Sequence, residues 1–366
     1  MDRTVVRGGC AKIGGAHCPR ARQNFFNAMH MADASGKAAL ARTRSKTCRF
    51  FGDGSAREAS WTAECQFRFG RETGITAIGE FCLTPPWPAF RKKRLLAGAR
   101  ASKVRAVSVQ LTILGSGSGG NCAYLETAET RLLIDAGFSG RQIRRRLAGI
   151  ARAPEGLDGI LITHEHSDHI AGLAALAVKL QLPVYCNRLT KEAIEAQLQI
   201  QINARLFTTG GSFEVGDVTI DTFSVPHDAY DPVGFLLRTC SGNIGFLTDL
   251  GHATKLVVER VRCANVLVLE ANHDLKMLQD DVRRPWSLKQ RILSRHGHLS
   301  NEGAAEVVEQ IISADLRRLY LGHLSRDCNH PALARQVVGQ RLERIGGTHV
   351  CVESTSQDSP CPTLAL

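Results

Sequence analysis

The chain has 366 residues, 43% of them hydrophobic and 22% charged, with a formal net charge of +11. This is enough apolar material for a sizeable core in one large domain or two. No apolar run approaches the ~20 residues needed to cross a bilayer, and the start lacks the continuous apolar segment of a signal peptide, so neither a membrane-spanning nor an exported protein is indicated.

The basic excess does not by itself name a partner. Met1 to Val107 carries 20 Lys+Arg against 7 Asp+Glu, a net +13, which leaves −2 for the remainder. Beyond that leader, only a local patch could bind a polyanion. The 12 cysteines are scattered, with no CxxC pair. Such thiols suit a reducing cytoplasm better than a disulfide-stapled secreted fold. Residues 1–107 show no sustained helical or alternating period and end in Pro85-Pro86-Trp87-Pro88 and Arg91-Lys92-Lys93-Arg94. They read either as a basic arm for nucleic acid or as a disordered or mispredicted extension, ahead of an enzyme-like domain over 108–353.

Leu111–Leu114 reads as a strand, Gly115–Asn121 (GSGSGGN) as a glycine-rich turn, and Cys122–Leu125 with Arg131–Ile134 as a strand pair. Glycine-rich turns can cradle phosphate through backbone N–H groups, and more often are only tight connections. Asp135 closes the third strand and can be a simple turn former before Gly137. Ser139–Gly149 reads as a helix carrying Arg141, Arg144, Arg145 and Arg146, either a contact for a phosphate backbone or a solvated face.

The apolar run Gly159–Ile162 reads as a buried strand, and it opens into THEHSDHIAG. His164, His166, Asp168 and His169 put four metal-capable side chains in six residues, too many to serve one ion. A loop leaving a strand can aim His164 and His166, two apart, at one centre, while the start of a helix turns Asp168 and His169 toward a second. The pattern predicts a dinuclear site of imidazoles and carboxylates, donors suited to zinc, manganese or iron. Helices over Ile170–Leu180 and Leu189–Leu198 follow, with a short strand over Pro183–Cys186 between them and a β-rich stretch, Phe213–Val225, after them.

Three further polar residues each end an apolar strand: His227 after Val218–Val225, Asp249 after Ile244–Thr248, and His323 after Arg318–Leu321. Glu270 closes another strand in LEANHD. His298, in HGHLSN, precedes a helix over Glu302–Ile312 that Ser300 can cap. A helix over Pro331–Ile345 and a strand over His349–Val352 finish the domain, and 354–366, mostly polar, reads as a disordered tail.

HxHxDH after a hydrophobic strand, followed in order by His227, Asp249 and His323, resembles the metallo-β-lactamase superfamily. The phrases GSGSGGN, LEANHD, HGHLSN and HLSRDCNHP narrow the likeness, over Leu111 to about Val352, to its YycJ/WalJ type (VicX-like), which is similar to ribonuclease Z-like phosphodiesterases. The resemblance implies an α/β fold, the four-layer αββα sandwich. It assigns His164, His166 and His227 to one divalent ion, Asp168, His169 and His323 to another, and Asp249 as the bridge. Asp135 falls where the superfamily has an aspartate that braces the metal loop. Catalytic roles are implied for Asp168, for His298 as a source of a proton or positive charge at the leaving oxygen, and for Glu270 as the group orienting His298. From the residues alone, His298 could instead only cap its helix, and Glu270 could only pair with an arginine.

The implied activity is 5′-to-3′ exonuclease action on DNA, with a place in DNA repair, through a hydroxide between two Zn2+ or Mn2+ ions about 3.5–4 Å apart. Hydrolysis of RNA or of a thioester would use similar residues, and a non-catalytic part in a signalling system is the alternative from another class. Against a lactamase, Asp249 stands where those enzymes carry Cys or Ser. Against the long ribonucleases, the span from Asp249 to His323 has no room for their inserted domain. Cys328 departs from the second Asn expected before Asn329, which bears on a substrate-side contact.

Overall fold

The computed structural model describes residues 109–366; the expectations for 1–107 lie outside the described residues. The first sheet is built from β1 (Gln110–Gly115), β2 (Cys122–Glu126), β3 (Arg131–Ile134), β4 (Gly159–Leu161), β5 (Val184–Cys186) and β6 (Ala204–Leu206). Between these strands run the helices α1 (Gly140–Gly149), α2 (Ser167–Ile170) and α3 (Arg188–Leu198). The second sheet comprises β7 (Ser212–Val215), β8 (Val218–Ser224), β9 (Val233–Thr239), β10 (Gly242–Leu247), β11 (Val266–Glu270), β12 (Arg318–Gly322) and β13 (Cys351–Ser354). With it come α4 (Lys255–Val261), α5 (Leu275–Asp280), α6 (Trp286–Ile292), α7 (Asn301–Ile311) and α8 (Pro331–Arg344).

The strands are apolar on both faces because each face meets a different layer. In β2, Ala123 and Leu125 enter the core between the sheets, while Cys122 and Tyr124 face the helices. In β11, Val266 and Val268 point to the other sheet, and Leu267 and Leu269 pack toward α4, α7 and α8. The period-2 alternation thus divides the apolar residues among three cores, and the layers are αββα. Leu267 is fully buried in the helix-facing core. Leu267→Ala is expected to destabilise the fold by about 2–5 kcal/mol, read as a lower urea midpoint at unchanged m-value.

Strand direction sets where function can sit. β3, β4 and β5 are mutually parallel, as are β10, β11 and β12. β8 runs the same way as β10, because both are antiparallel to β9. The C-terminal ends of these strands deliver Asp135, the THEHSDH loop, His227, Asp249, Glu270 and His323 to one edge of the sandwich.

Three expectations are corrected. The helix expected over Ile170–Leu180 is interrupted: α2 ends at Ile170, the chain turns at 171–172, and it is helical again over 173–180, with a wide π-type segment at Ala174–Val178. The break follows from backbone bonds of Ala136 N–H to His169 O (2.7 Å) and Gly172 N–H to Ala136 O (2.8 Å), which pin the loop to the segment after β3.

The tail expected to be disordered over 354–366 is instead ordered. Its strand β14 (Leu364–Ala365) pairs antiparallel with β1, and Thr355 bonds to Leu321 O through its N–H (2.9 Å) and its hydroxyl (3.0 Å). Cys361, Leu364 and Leu366 pack on the inter-sheet core, so the tail covers a strand edge that would otherwise stand open.

The third correction concerns the arginine face of α1. Arg146 is buried, donates to the carbonyls of Leu114 (2.5 Å) and Gln357 (2.7 Å), and lies 4.0 Å from the Phe138 ring centre. It ties the tail to β1 and is not a phosphate contact; Arg144 pairs with Glu155 at 2.6 Å, while Arg141 and Arg145 are exposed.

Candidate metal centre

The loop after β4 brings His164 and His166 together with His227, their ligand atoms all within 4.8 Å of one another. The single turn of α2 carries Asp168 and His169 round to meet Asp249 and His323 in a second group of the same compactness. Asp249 touches both groups. Its Oδ2 lies 3.1 Å from His169 Nε2, and its Oδ1 lies 3.3 Å from His323 Nε2 and 3.8 Å from His227 Nε2. All seven residues singled out as ligands therefore converge.

Four of the five imidazoles are oriented through their outer nitrogen. His169 Nδ1 faces Asp135 Oδ2 at 2.8 Å, and His323 Nδ1 faces Glu270 Oε1 at 2.9 Å. His227 Nδ1 lies 3.1 Å from Gly297 O, and His164 Nδ1 lies 3.1 Å from Thr163 Oγ1. This leaves Nε2 of all four pointing at the cluster. Carboxylate or carbonyl partners on the outer nitrogen fix the tautomer and raise the basicity of a metal-binding imidazole. Asp135 also accepts from Thr163 N–H (2.9 Å), so it braces the loop and is more than a turn former.

The donor set fits divalent cations. His227 Nε2 and His166 Nδ1 are 3.2 Å apart, and the His164 and His169 ring centres are 4.2 Å apart. Among the described residues, His164 Nε2 is buried with no hydrogen-bond partner, and Asp249 Oδ2, buried and 3.1 Å from His169 Nε2, makes no well-aligned hydrogen bond. Buried acceptors without partners are costly, and a cation between them would satisfy both. Burial, helped by His169, lowers the His164 pKa well below the usual histidine value. Burial lowers His169 and His323 too, but Asp249 leads the carboxylates that outweigh it and raise both. Asp249 is held far below the carboxylate range, with His323 and His169 overcoming its burial. A cation entering here would thus displace protons from His169 and His323.

Glu270, His298 and His323 form a further cluster around Asp249. His298 Nδ1 faces Glu270 Oε1 at 2.8 Å, and Glu270 also accepts from Leu250 N–H (2.8 Å). Glu270 is fully buried; burial raises its pKa, and His298 followed by His323 outweighs that to hold it at about 2. Neither bland alternative matches this geometry. Ser300 caps α7 by accepting from Gly303 N–H at 3.1 Å, and Glu270 bonds to histidines, not to an arginine. The His298 side chain, 23% exposed, reaches a cavity of about 370 Å³ also lined by Asn272, His273, Arg291 and Cys328. The Cys328 thiol, at the position that departs from expectation, faces Asp281 Oδ2 at 3.6 Å.

Four supports were not singled out from the sequence. Ser116 Oγ accepts from His323 N–H (2.8 Å) and donates to Asn121 Oδ1 (2.8 Å). Asn121 Nδ2 reaches His169 Nε2 (3.1 Å), Asn272 Nδ2 donates to His323 O (2.9 Å), and Thr163 links Asp135 to His164. The glycine-rich turn is thus part of the metal site's wall. Asp228, beside His227 Nε2 at 3.4 Å and bonded to Arg291 at 2.5 Å, is a further neighbour.

Close packing makes one glycine testable. Asn121 N–H donates to Asp168 O at 2.8 Å, and a Cβ on Gly137 would lie 1.6 Å from that same oxygen. Gly137→Ala must push the loop outward, and by analogy with other supporting residues is expected to weaken divalent-metal affinity about 10–100-fold in a chelator-competition titration.

The sequence profile of the beta-lactamase superfamily domain matches residues 130–324. The chain is 39% identical over 263 residues to exodeoxyribonuclease WalJ of Streptococcus pneumoniae, covering 70% of this chain and 97% of that protein. It is 38% identical over 260 residues to exodeoxyribonuclease YycJ of Bacillus anthracis, covering 70% and 98%. Among solved structures, the metallo-beta-lactamase fold protein YhfI from Bacillus subtilis aligns with a TM-score of 0.55 at 17% identity, over 71% of this chain and 100% of that one, a likeness of fold alone. By profile, by near full-length identity and by the converged His/Asp cluster, the chain belongs to the metallo-β-lactamase superfamily, in the group of WalJ and YycJ.

Proposed function

We propose that the chain is a metal-dependent phosphodiesterase that removes nucleotides from DNA in the 5′-to-3′ direction, with repair of DNA as its setting. The observation that carries the reading is the identity, over nearly their whole length, to relatives named exodeoxyribonucleases. His164, His166 and His227 would hold one zinc or manganese ion, Asp168, His169 and His323 a second, with Asp249 between them. Bound there, such ions supply Lewis acidity toward the phosphodiester and an activated water. Asp135 and Glu270 keep His169 and His323 turned inward. His298, with Nδ1 held by Glu270, keeps Nε2 free to carry a proton to the leaving oxygen. Among the described residues the seven cysteines are free and no helix is long and apolar enough to cross a membrane; a reducing cytoplasm fits that chemistry.

The test is a cleavage assay on 5′- and 3′-labelled DNA and RNA, single-stranded and duplex, with chelator-stripped protein before and after Mn2+ or Zn2+ is restored. Release of labelled nucleotides from DNA 5′ ends, only with metal, is expected. Cleavage of RNA alone or of nothing would contradict the proposal.

A further inference from the structure

One basic stretch of the domain has no part in the proposed chemistry: 282–295 holds Arg283, Arg284, Lys289, Arg291 and Arg295 and no Asp or Glu, in a domain whose net charge is −2. Apolar side chains are interleaved with these charges and stay in solvent. Trp286, the first residue of α6, is 60% exposed, and Val282, Leu288 and Leu293 are exposed as well. Apolar groups gathered on one open stretch mark a contact surface, whereas scattered ones do not.

The stretch is joined directly to the candidate metal centre. His298 N–H donates to Ile292 O (2.9 Å), so the end of α6 sets the backbone of the histidine placed at the leaving oxygen. Arg291 Nε pairs with Asp228 Oδ2 (2.5 Å), and the other oxygen of that carboxylate lies 3.4 Å from His227 Nε2. Arg284, Leu288 and Ile292 line the 370 Å³ cavity that His298 reaches. Tyr230, two residues from Asp228 and 73% exposed, has its N–H held by Glu165 Oε1 (2.9 Å) in the metal loop. A second open aromatic ring thus belongs to the same edge.

The arginines have carboxylate partners, Arg283 in Asp281 and Asp327 and Arg291 in Asp228, yet the two side chains stay 66% and 61% exposed. Ion pairs this open are weak, so a chain of phosphates can take over the guanidinium groups. Among the described residues Arg295 pairs with no carboxylate; it is exposed and 2.8 Å from His252 Nε2. Cations alternating with open aromatic rings suit a single-stranded nucleic acid, whose backbone meets the charge and whose bases stack on the rings. A second copy of the chain suits the face less well, since in a symmetric pair this charge would meet its own like.

We infer that 282–295, with Tyr230, is the track for the DNA strand beyond the scissile phosphate, held through Arg283, Arg291 and Arg295 and by stacking on Trp286. The inference rests on the nuclease reading and adds how that substrate is gripped away from the metal centre.

The experiment measures binding of a fluorescent oligodeoxythymidylate, its linkages phosphorothioate to resist cleavage, to the metal-loaded protein by anisotropy across a salt series. Cleavage of the unmodified strand and the protein's oligomeric state are followed in parallel. The combined Arg283→Gln, Arg291→Gln and Arg295→Gln variant is expected to flatten the log–log salt slope by about 2, roughly 0.7 for each charge removed. Trp286→Ala is expected to raise Kd about 5–150-fold, and Trp286→Phe to keep most of the wild-type affinity. A merely structural role would shift affinity without moving the salt slope. An unchanged slope in the arginine variant, or an unchanged Kd in Trp286→Ala, overturns the inference while cleavage by the wild type leaves the nuclease reading standing. Should the combined variant not fold, Arg283→Gln and Arg295→Gln made singly carry the same reading at about 0.7 each. Loss of self-association in Trp286→Ala with DNA binding intact would assign the face to a second copy of the chain and overturn the inference. A wild-type protein that neither binds nor cuts DNA overturns the nuclease reading beneath it.

Discussion

Replacing Asp249 by Asn is expected to abolish nucleotide release, with kcat/KM falling roughly 10³-fold or more. Residues that merely support a ligand are worth about 10–100-fold in metal affinity or activity, and Asp249 is itself within 3.1–3.8 Å of nitrogens in both histidine groups. Its charge also dominates the raised pKa values of His169 and His323. An amide keeps the volume but removes the charge that would balance the two proposed cations. Metal content should fall with activity, while the fold, secured by three apolar cores, stays intact by circular dichroism. Retention of both metal and activity in Asp249→Asn would show that the two groups are not joined through this carboxylate.

His298→Ala is expected to separate chemistry from metal binding. Its ring bonds to Glu270 and reaches the cavity, and it lies outside both proposed ligand sets. Loss of a positioned proton donor lowers the rate about 10²–10⁴-fold, so kcat should drop on that scale with metal content unchanged. Glu270→Gln should behave differently, because Glu270 holds His323 as well as His298. It is expected to lose metal affinity as well as rate. A fully active His298→Ala protein would remove the proton-delivery role and leave the metal site untouched.

The residues of the candidate metal centre are legible in the sequence because they emerge where apolar runs stop, and a strand end is where a polar side chain can leave the sheet. What the pattern does not carry is the turn made there. Asp135, Asp249 and His323 all take left-handed backbone angles, with φ of 58°, 57° and 56°. Such conformations cost about 1–3 kcal/mol each in non-glycine residues and persist only where surrounding bonds hold them. Those bonds, such as His323 N–H to Ser116 Oγ across 207 positions, are tertiary. Ser116, Asn121 and Asn272 were missed for a related reason: hydroxyls and amides near turns look like ordinary turn formers.

Charge was misleading at α1, since four arginines in six residues say nothing about Arg146 lying over Phe138 with two carbonyls at its guanidinium. The Ala/Leu run after Ile170 satisfies a helix pattern, and only the bonds of Gly172 and His169 to Ala136 reveal why it breaks. In the tail, a two-residue strand is too short for periodicity, although Cys361, Leu364 and Leu366 were apolar signals within a polar stretch.

The most direct test is to count divalent ions per chain by elemental analysis, in protein loaded with Mn2+ or Zn2+ and freed of excess, alongside 5′-end cleavage of DNA. Two ions per chain, lost together with cleavage when Asp249 is replaced, is the predicted result. DNA cleavage that persists in metal-stripped protein, or two ions held as firmly after that replacement, would contradict it.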